Sequence, residues 1–330
     1  MSLLYISQQI TIYLGTFLLF VGVFGNILNI FIFTSVRTYR QTACSFYFLV
    51  NSINCLLFLS INLTSRITSA GFGIELTQMS IYWCKLREYF ILIMGSFTFS
   101  CACLSSIDQF CTTSRHARVR RLSNIKLTHR IVCILIVICL LHGIPALMFF
   151  EISPITNKCV NVNQGFTIYI LVYAFCLNSI GPLIMMIVFG YLTYRNVHSI
   201  RIPVDRQLVK MTLCQVILVF MTAVPYATFL AYNLLTATLK KDSDQLVNEY
   251  FAVSFLSLWT YLYYGGSFYV FFISSSRFRR TVKDKVFLCQ NRNQINPHAS
   301  AASTQAPSAY FHSIYEHLCD RNWSKEMMVL

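Results

Sequence analysis

Seven stretches of mainly apolar residues, separated by short polar segments, follow one another along the chain. A helix rises about 1.5 Å per residue and the hydrocarbon layer of a bilayer is about 30 Å thick, so one crossing needs about 20 residues. Each stretch is long enough for one crossing. The pattern therefore predicts an all-α membrane protein, a seven-transmembrane helix bundle, with spans at 7–35, 44–68, 81–111, 130–150, 166–195, 206–236 and 247–273.

The segments outside the transmembrane domain, residues 7–273, differ from it in composition. Residues 1–6 precede the first apolar stretch without a basic leader or cleavage site and predict a short extracellular N-terminus. Residues 274–289 combine arginines with Phe278 and predict an amphipathic helix on the membrane surface. Residues 290–330 are polar, which is typical of a disordered cytoplasmic tail.

The charges predict the orientation of the helices. The chain is 56% hydrophobic and only 12% charged, against roughly 25% charged residues in soluble domains. Twenty of the 26 Lys and Arg fall in the odd-numbered loops and the tail, where the positive-inside rule predicts cytoplasm. We expect a multi-pass protein of the plasma membrane, with its N-terminus outside. Lipid headgroups account for the basic clusters, so no nucleic-acid partner is expected.

Two pairs of landmarks keep a fixed register along the first three spans. Asn54 follows Asn26 of the Gly25-Asn26 pair by 28 residues, and Gln109 follows Cys84 by 25. Together with the seven spans, these spacings resemble the rhodopsin-like G-protein-coupled receptors. The resemblance equates Asp108-Gln109-Phe110 with the Asp-Arg-Tyr triplet of the family, and Asn54 with its mid-membrane Asp. It implies helix-packing roles for Asn26 and Asn54.

Further residues acquire roles through the same resemblance. It implies a disulfide between Cys84 and Cys159 of the second outer loop, in an oxidising compartment. It also implies helix kinks at Pro182 and Pro225, because proline removes a backbone hydrogen bond. Cys289, just after the surface helix, is either palmitoylated or an unmodified cysteine.

Departures from the family pattern concern the residues that couple these receptors to G proteins. Gln109 replaces the family's Arg, and Asp205 stands where the acidic partner of that Arg would lie. An ionic lock between them is therefore excluded. Asn54 removes the carboxylate of the family's sodium pocket. The resemblance implies a heterotrimeric G protein as partner, with a binding or scaffolding membrane protein that has lost G-protein exchange as the alternative.

The outer ends of three spans carry the candidate ligand-binding residues. Ile91 occupies the place of the amine-binding Asp of aminergic receptors, and Tyr261 lies near the place of the retinal lysine of opsins, which argues against both ligand classes. Almost no charge lies between the predicted span ends, which argues against transport. Charged and aromatic groups at the outer mouth suit a short peptide of the neuropeptide type: Arg87, Glu88, Tyr226, Phe229 and Tyr261. The alternative is an interfacial aromatic belt.

Enzyme chemistry is not indicated by any motif. His142 and the Ser105-Ser106 pair lie in apolar spans and belong to no nucleophile constellation. The cysteines are scattered without the regular pairs of a metal site. We therefore expect neither catalysis nor a bound cofactor or metal.

Overall fold

In the computed structural model, the described residues form seven long helices. The structure describes residues 3–74, 80–154, 159–199, 206–236, 239 and 241–292. We number the long helices first to seventh in chain order. The second and the fifth each contain π-helical turns. The bounds are Leu3–Ser35, Ala43–Gly71, Ile81–Thr113, Ile125–Phe149, Gln164–Ser199 (Gln164–Val172, Tyr173–Ile180 and Gly181–Ser199), Arg206–Leu235 and Ser243–Ser274.

Six of the long helices, the first to the sixth, are both long and apolar enough to cross a membrane within the described part of the chain. The seventh has 32 residues but falls outside this set. Its second half carries Tyr261, Tyr263, Tyr264, Gly265 and Gly266, which lower its mean hydropathy. Six helices are therefore candidate spans by length and composition, and the seventh does not meet the same criterion.

The exposed surface around the helix bundle is apolar. The fourth long helix exposes Ile134, Ile138 and Leu141 in succession, and the first exposes Phe17 and Phe20. Large apolar side chains over several neighbouring helices exceed what a water-soluble monomer presents and match a surface in contact with lipid. The fold and this surface define the chain as an all-helical, multi-pass membrane protein.

The first and seventh long helices approach each other most closely at Gly22 and Gly265. A Cβ atom added to Gly265 would lie 2.9 Å from the Cα of Gly22, so only glycine fits there. Asn26 donates one hydrogen bond to the carbonyl of Gly22 at 2.8 Å and one to the carbonyl of Tyr264 at 2.9 Å. One turn further, Asn29 donates to Ser267 at 3.1 Å. Close backbone contact and side-chain amide hydrogen bonds thus join the first and seventh helices.

The second and third long helices are joined by Asn54. Its amide donates to the carbonyl of Met94 at 2.9 Å and to the hydroxyl of Thr98 at 2.6 Å. Beyond it, the second helix contains two π-helical segments, Leu59–Leu63 and Ile67–Gly71. Asn62 begins a glycosylation sequon, Asn62-Leu63-Thr64, but its side chain is completely buried inside the first segment and therefore inaccessible. The helix also continues past the predicted end at residue 68.

The fifth long helix changes its winding before Pro182. A π-helical segment, Tyr173–Ile180, connects Gln164–Val172 to Gly181–Ser199. Proline cannot donate the bond that a regular helix requires at this position, and a wider turn accommodates the loss. Pro182 is buried, and its carbonyl accepts from the thiol of Cys103 on the third helix at 3.6 Å.

The second outer loop forms a short β-hairpin that the helical pattern did not predict. Strand β1 (Phe150–Ile152) pairs antiparallel with strand β2 (Cys159–Asn161), with Ile152 opposite Cys159. Cys159 forms a disulfide with Cys84 of the third helix, with Cα atoms 5.7 Å apart. The predicted pairing is therefore present, and it fixes the hairpin to the end of the bundle that we call the outer end.

The predicted terminal segments differ in extent from those in the structure. The first helix already begins at Leu3, inside the segment predicted as an outer terminus, because the apolar pattern extends that far. A separate helix, Ser276–Arg292, belongs to a second compact unit and holds Arg280 and Asp284 4.0 Å apart. It includes residues 290–292 of the predicted tail. The rest of that tail, 293–330, and the Cys289 side chain lie outside the described residues.

Candidate functional site

Four of the predicted ligand-binding residues come together at the outer end. Nη1 of Arg87 donates to Oε1 of Glu88 at 2.8 Å, and each side chain is 22% exposed. The phenol of Tyr261 is close enough to Arg87 and Glu88 to interact electrostatically with both. Tyr226 on the sixth helix lies within the same range of Glu88 and Tyr261. Residues from the third, sixth and seventh helices thus form one site, the outer cluster.

The outer cluster has a member that the sequence analysis missed. Arg66, on the second helix, lies within electrostatic range of both Tyr226 and Tyr261. Its Nη2 atom donates to the carbonyl of Ser254 on the seventh helix at 3.1 Å. Arg66 lies more than one turn before its helix ends at Gly71, and a charge at that depth could have identified it.

Aromatic rings lie directly below the outer cluster. Phe58 stacks on Tyr264 with ring centres 4.0 Å apart, and it lies 5.8 Å from the ring of Tyr261. Tyr264 is itself 6.2 Å from Tyr261. The cluster therefore combines charged groups with neighbouring aromatic rings, as sites for ligands with one polar and one apolar end do.

The other two predicted ligand-binding residues have different surroundings. Phe229 contacts the ring of Tyr232 with centres 6.0 Å apart. Tyr232 donates to Glu249 at 2.9 Å, and Glu249 is paired with Lys241 at 2.7 Å. Phe229 therefore lies beside a network that joins the sixth and seventh helices. Ile91 is half-buried on the third helix, three residues after Glu88.

The Asp108-Gln109-Phe110 triplet lies at the opposite end of the third helix, which we call the inner end. Asp108 is buried, and its Oδ2 atom has no hydrogen-bond partner among the described residues. Gln109 is only 3% exposed, and Phe110 packs on Phe189 of the fifth helix with ring centres 5.5 Å apart. Asp205, the predicted partner of Gln109, lies outside the described residues.

Neutral hydrogen bonds hold the sixth helix at the inner end. The hydroxyl of Ser275, which follows the seventh helix, donates to Oε1 of Gln207 at 2.6 Å. Cys44 of the second helix and Thr212 lie 3.8 Å apart, within hydrogen-bond range for sulfur. Leu208 and Met211 between these contacts are buried. The inner end of the sixth helix is thus held against its neighbours by neutral hydrogen bonds and apolar packing.

Pro225 frees a carbonyl of the sixth helix that a residue of the seventh helix satisfies. Proline has no N–H, so the carbonyl of Met221, four residues earlier, loses its helical partner. The indole Nε1 of Trp259 donates to this carbonyl at 2.9 Å. The predicted kink position is therefore linked to the seventh helix by a specific hydrogen bond.

Replacing Trp259 by Phe should lower the free energy of unfolding by about 1–3 kcal/mol, because the Met221 carbonyl loses its partner in a medium without water. Trp83→Phe is a matched control, since the buried Nε1 of Trp83 has no hydrogen-bond partner among the described residues. Thermal unfolding of the purified variants in detergent measures both effects. Equal shifts in the two variants would show that the bond to Met221 adds no stability.

Cavities lined by described residues occur away from the outer cluster. An apolar groove of about 550 Å³ lies between the third, fourth and fifth helices, and one of about 240 Å³ lies between the fifth and sixth. Both are lined almost wholly by apolar side chains and suit lipid chains. No group of three His, Cys, Asp or Glu side chains able to hold a metal ion occurs in the described ranges.

Comparison with known proteins does not narrow the class defined by the fold, an all-helical membrane protein. No family model matches the chain, and no curated protein matches it significantly. The features that bear on function are therefore the outer cluster and the contacts at the inner end of the helix bundle.

Proposed function

We propose that this chain is a seven-transmembrane receptor of the plasma membrane that binds a short, neuropeptide-type ligand outside and activates a heterotrimeric G protein inside. The observation that carries the proposal is the outer cluster. Four different helices contribute Arg66, Arg87, Glu88, Tyr226 and Tyr261 to it. A site shared by four helices can couple ligand binding to their relative positions, as receptor activation requires.

The seventh helix fits a seventh span despite its lower hydropathy. Its acidic residues, Asp244 and Glu249, lie near its outer start, and Lys241 pairs with Glu249 there. The tyrosines that lower its hydropathy, Tyr261, Tyr263 and Tyr264, are buried among other helices rather than exposed to lipid. A helix that hides its polar groups in the bundle can cross the bilayer.

The inner end supports signalling through a closed and an open arrangement. In the closed arrangement Gln207 and Thr212 keep the sixth helix against Ser275 and Cys44. Among the described residues, the hydrogen bonds that opening would break there are neutral, and each contributes about 0.5–1.5 kcal/mol. A ligand that favours the open arrangement by a few kcal/mol could therefore shift the balance.

A second candidate function is a membrane protein of this fold that binds a ligand or scaffolds a partner without G-protein exchange. It is favoured by Gln109, which is neutral and buried where the receptors that the sequence resembles carry an arginine. The substitution Gln109→Arg separates the two candidates. A coupled receptor should change only modestly, whereas an uncoupled protein should gain basal activity.

The test is G-protein activation in a heterologous cell line that expresses the full chain at its surface. A library of short peptides is applied, and dissociation of several G-protein subtypes is recorded with and without peptide. The receptor proposal predicts activation by peptides from the library. Activation only by lipids or odorants would exclude the peptide class, and silence of both the wild type and Gln109→Arg would exclude the receptor.

In the same assay, Ser275→Ala should raise basal activity about two- to tenfold, because the closed arrangement loses its hydrogen bond to Gln207. Ser274→Ala is the control. The hydroxyl of Ser274 donates to the Phe271 carbonyl of its own helix, at 3.4 Å. Unchanged basal activity of Ser275→Ala at equal surface expression would contradict the role of this contact.

A further inference from the structure

We propose that the outer cluster binds a ligand carboxylate through Arg66. This inference rests on the proposed function and names the chemical group of the ligand. Arg66 is directed into the bundle, since its Nη2 atom bonds to the carbonyl of Ser254 on the seventh helix. An arginine that served only to reach lipid headgroups would extend outward from its helix instead.

The charges of the outer cluster do not balance. Glu88 is engaged by Arg87 at 2.8 Å, and among the described residues no carboxylate lies within the 4.0 Å of an ion pair to Arg66. Two arginines and one glutamate therefore leave a net charge of +1. A partly buried, uncompensated charge is costly, and an anionic ligand would remove that cost.

Unused hydrogen-bond donors accompany the excess charge. The Nε atoms of Arg66 and Arg87 are both buried without a hydrogen-bond partner. A guanidinium group binds the two oxygens of a carboxylate through parallel N–H bonds, and such charge-assisted bonds are strong. The cluster thus offers both charge and geometry for an acceptor that none of the described residues supplies.

The size of the charge and the surroundings select the anion. A net charge of +1 matches a carboxylate, whereas a phosphate dianion would exceed it and be repelled by Glu88. Tyr226 and Tyr261 belong to the same cluster, and the rings of Phe58 and Tyr264 pack near the ring of Tyr261. A carboxylate attached to an apolar or aromatic group fits this arrangement, as in a peptide with a free C-terminus.

Binding is tested on the purified full chain in lipid nanodiscs, independently of any G protein. The probes are a pool of hydrophobic tetrapeptides with free C-termini, the same pool with amidated C-termini, and oleate. Thermal unfolding is followed for the wild type, Arg66→Gln, Arg66→Lys and the control Lys85→Gln, which removes a nearby positive charge. Each variant is also measured without probe.

The free-acid pool should raise the unfolding temperature of the wild type and of Lys85→Gln by several degrees, with no shift for Arg66→Gln and a partial one for Arg66→Lys. Without probe, Arg66→Gln should be at least as stable as the wild type, because an unbalanced charge is removed. A purely structural arginine would give the opposite result. Stabilisation by oleate alone, with the same dependence on Arg66, would support the carboxylate site and assign it to a lipid.

Three outcomes would overturn the proposal. They are equal stabilisation by the free-acid and amidated pools, stabilisation that survives Arg66→Gln, and no stabilisation by any probe. The comparison of the two pools uses the wild type alone, so it stands even if a variant does not fold. Binding of the free-acid pool without G-protein activation would leave the carboxylate site intact and overturn only the receptor function.

Discussion

Replacing both Cys84 and Cys159 by serine should lower the free energy of unfolding by about 2–5 kcal/mol, the range found when native disulfides are removed. The bond closes a chain segment with a sequence separation of 75 residues and fixes the β-hairpin to the third helix. Its loss lets the unfolded chain explore more conformations and releases the loop beside the outer cluster. Thermal unfolding and surface expression measure the effect.

The control for this variant is Cys133→Ser, which removes an exposed free cysteine of the fourth helix. It should leave both quantities unchanged. If the double serine variant unfolded at the same temperature as the control, the disulfide would contribute nothing to stability, and the hairpin would be held by its other contacts.

Gly265→Ala should destabilise the protein by about 1–3 kcal/mol, because the new methyl group would meet the Cα of Gly22 at 2.9 Å and force the first and seventh helices apart. The hydrogen bonds of Asn26 to Tyr264 and of Asn29 to Ser267 cross the same interface and would be stretched. The expected result is a lower unfolding temperature and a reduced yield of folded protein.

The neighbouring glycine provides a matched control for this prediction. A Cβ atom added to Gly266 would lie 3.4 Å from the nearest side-chain atom of Leu218, which is ordinary contact. Gly266→Ala should therefore be neutral or slightly stabilising, since alanine is the better helix former. Similar losses in both variants would mean that intrinsic helix propensity, and not the contact with Gly22, determines the outcome.

The sequence was most informative where one chemical requirement acts along a single helix. The length of an apolar stretch determines whether it can cross the bilayer, so helices close to the predicted bounds were obtained for all seven segments. The pairing of Cys84 with Cys159 followed from a family resemblance that keeps the spacing of a few residues. The π-helical turns at Leu59–Leu63 were not predicted, because that segment contains no proline or glycine to indicate them.

Relations between helices were harder to predict, because they depend on how each helix is rotated about its axis. The sequence placed Arg87, Glu88, Tyr226 and Tyr261 near the outer end, and the structure brings them together. It did not assign Arg66 to the cluster, and it grouped Phe229 with the cluster rather than with the network of Tyr232 alone. Arg66 carries a charge inside the predicted second span, but only its bond to Ser254 shows that it is directed towards the seventh helix.

The bond between Trp259 and Met221 also restricts how the bundle can move. A proline kink alone would allow one segment of the sixth helix to swing on its own. Here an independent swing would break the hydrogen bond from the indole N–H to the Met221 carbonyl, which Pro225 leaves without a helical partner. Inside a bilayer no water would replace that bond. The least costly displacement therefore moves the sixth and seventh helices together. A rearrangement that begins around Tyr226 would be transmitted along both helices at once.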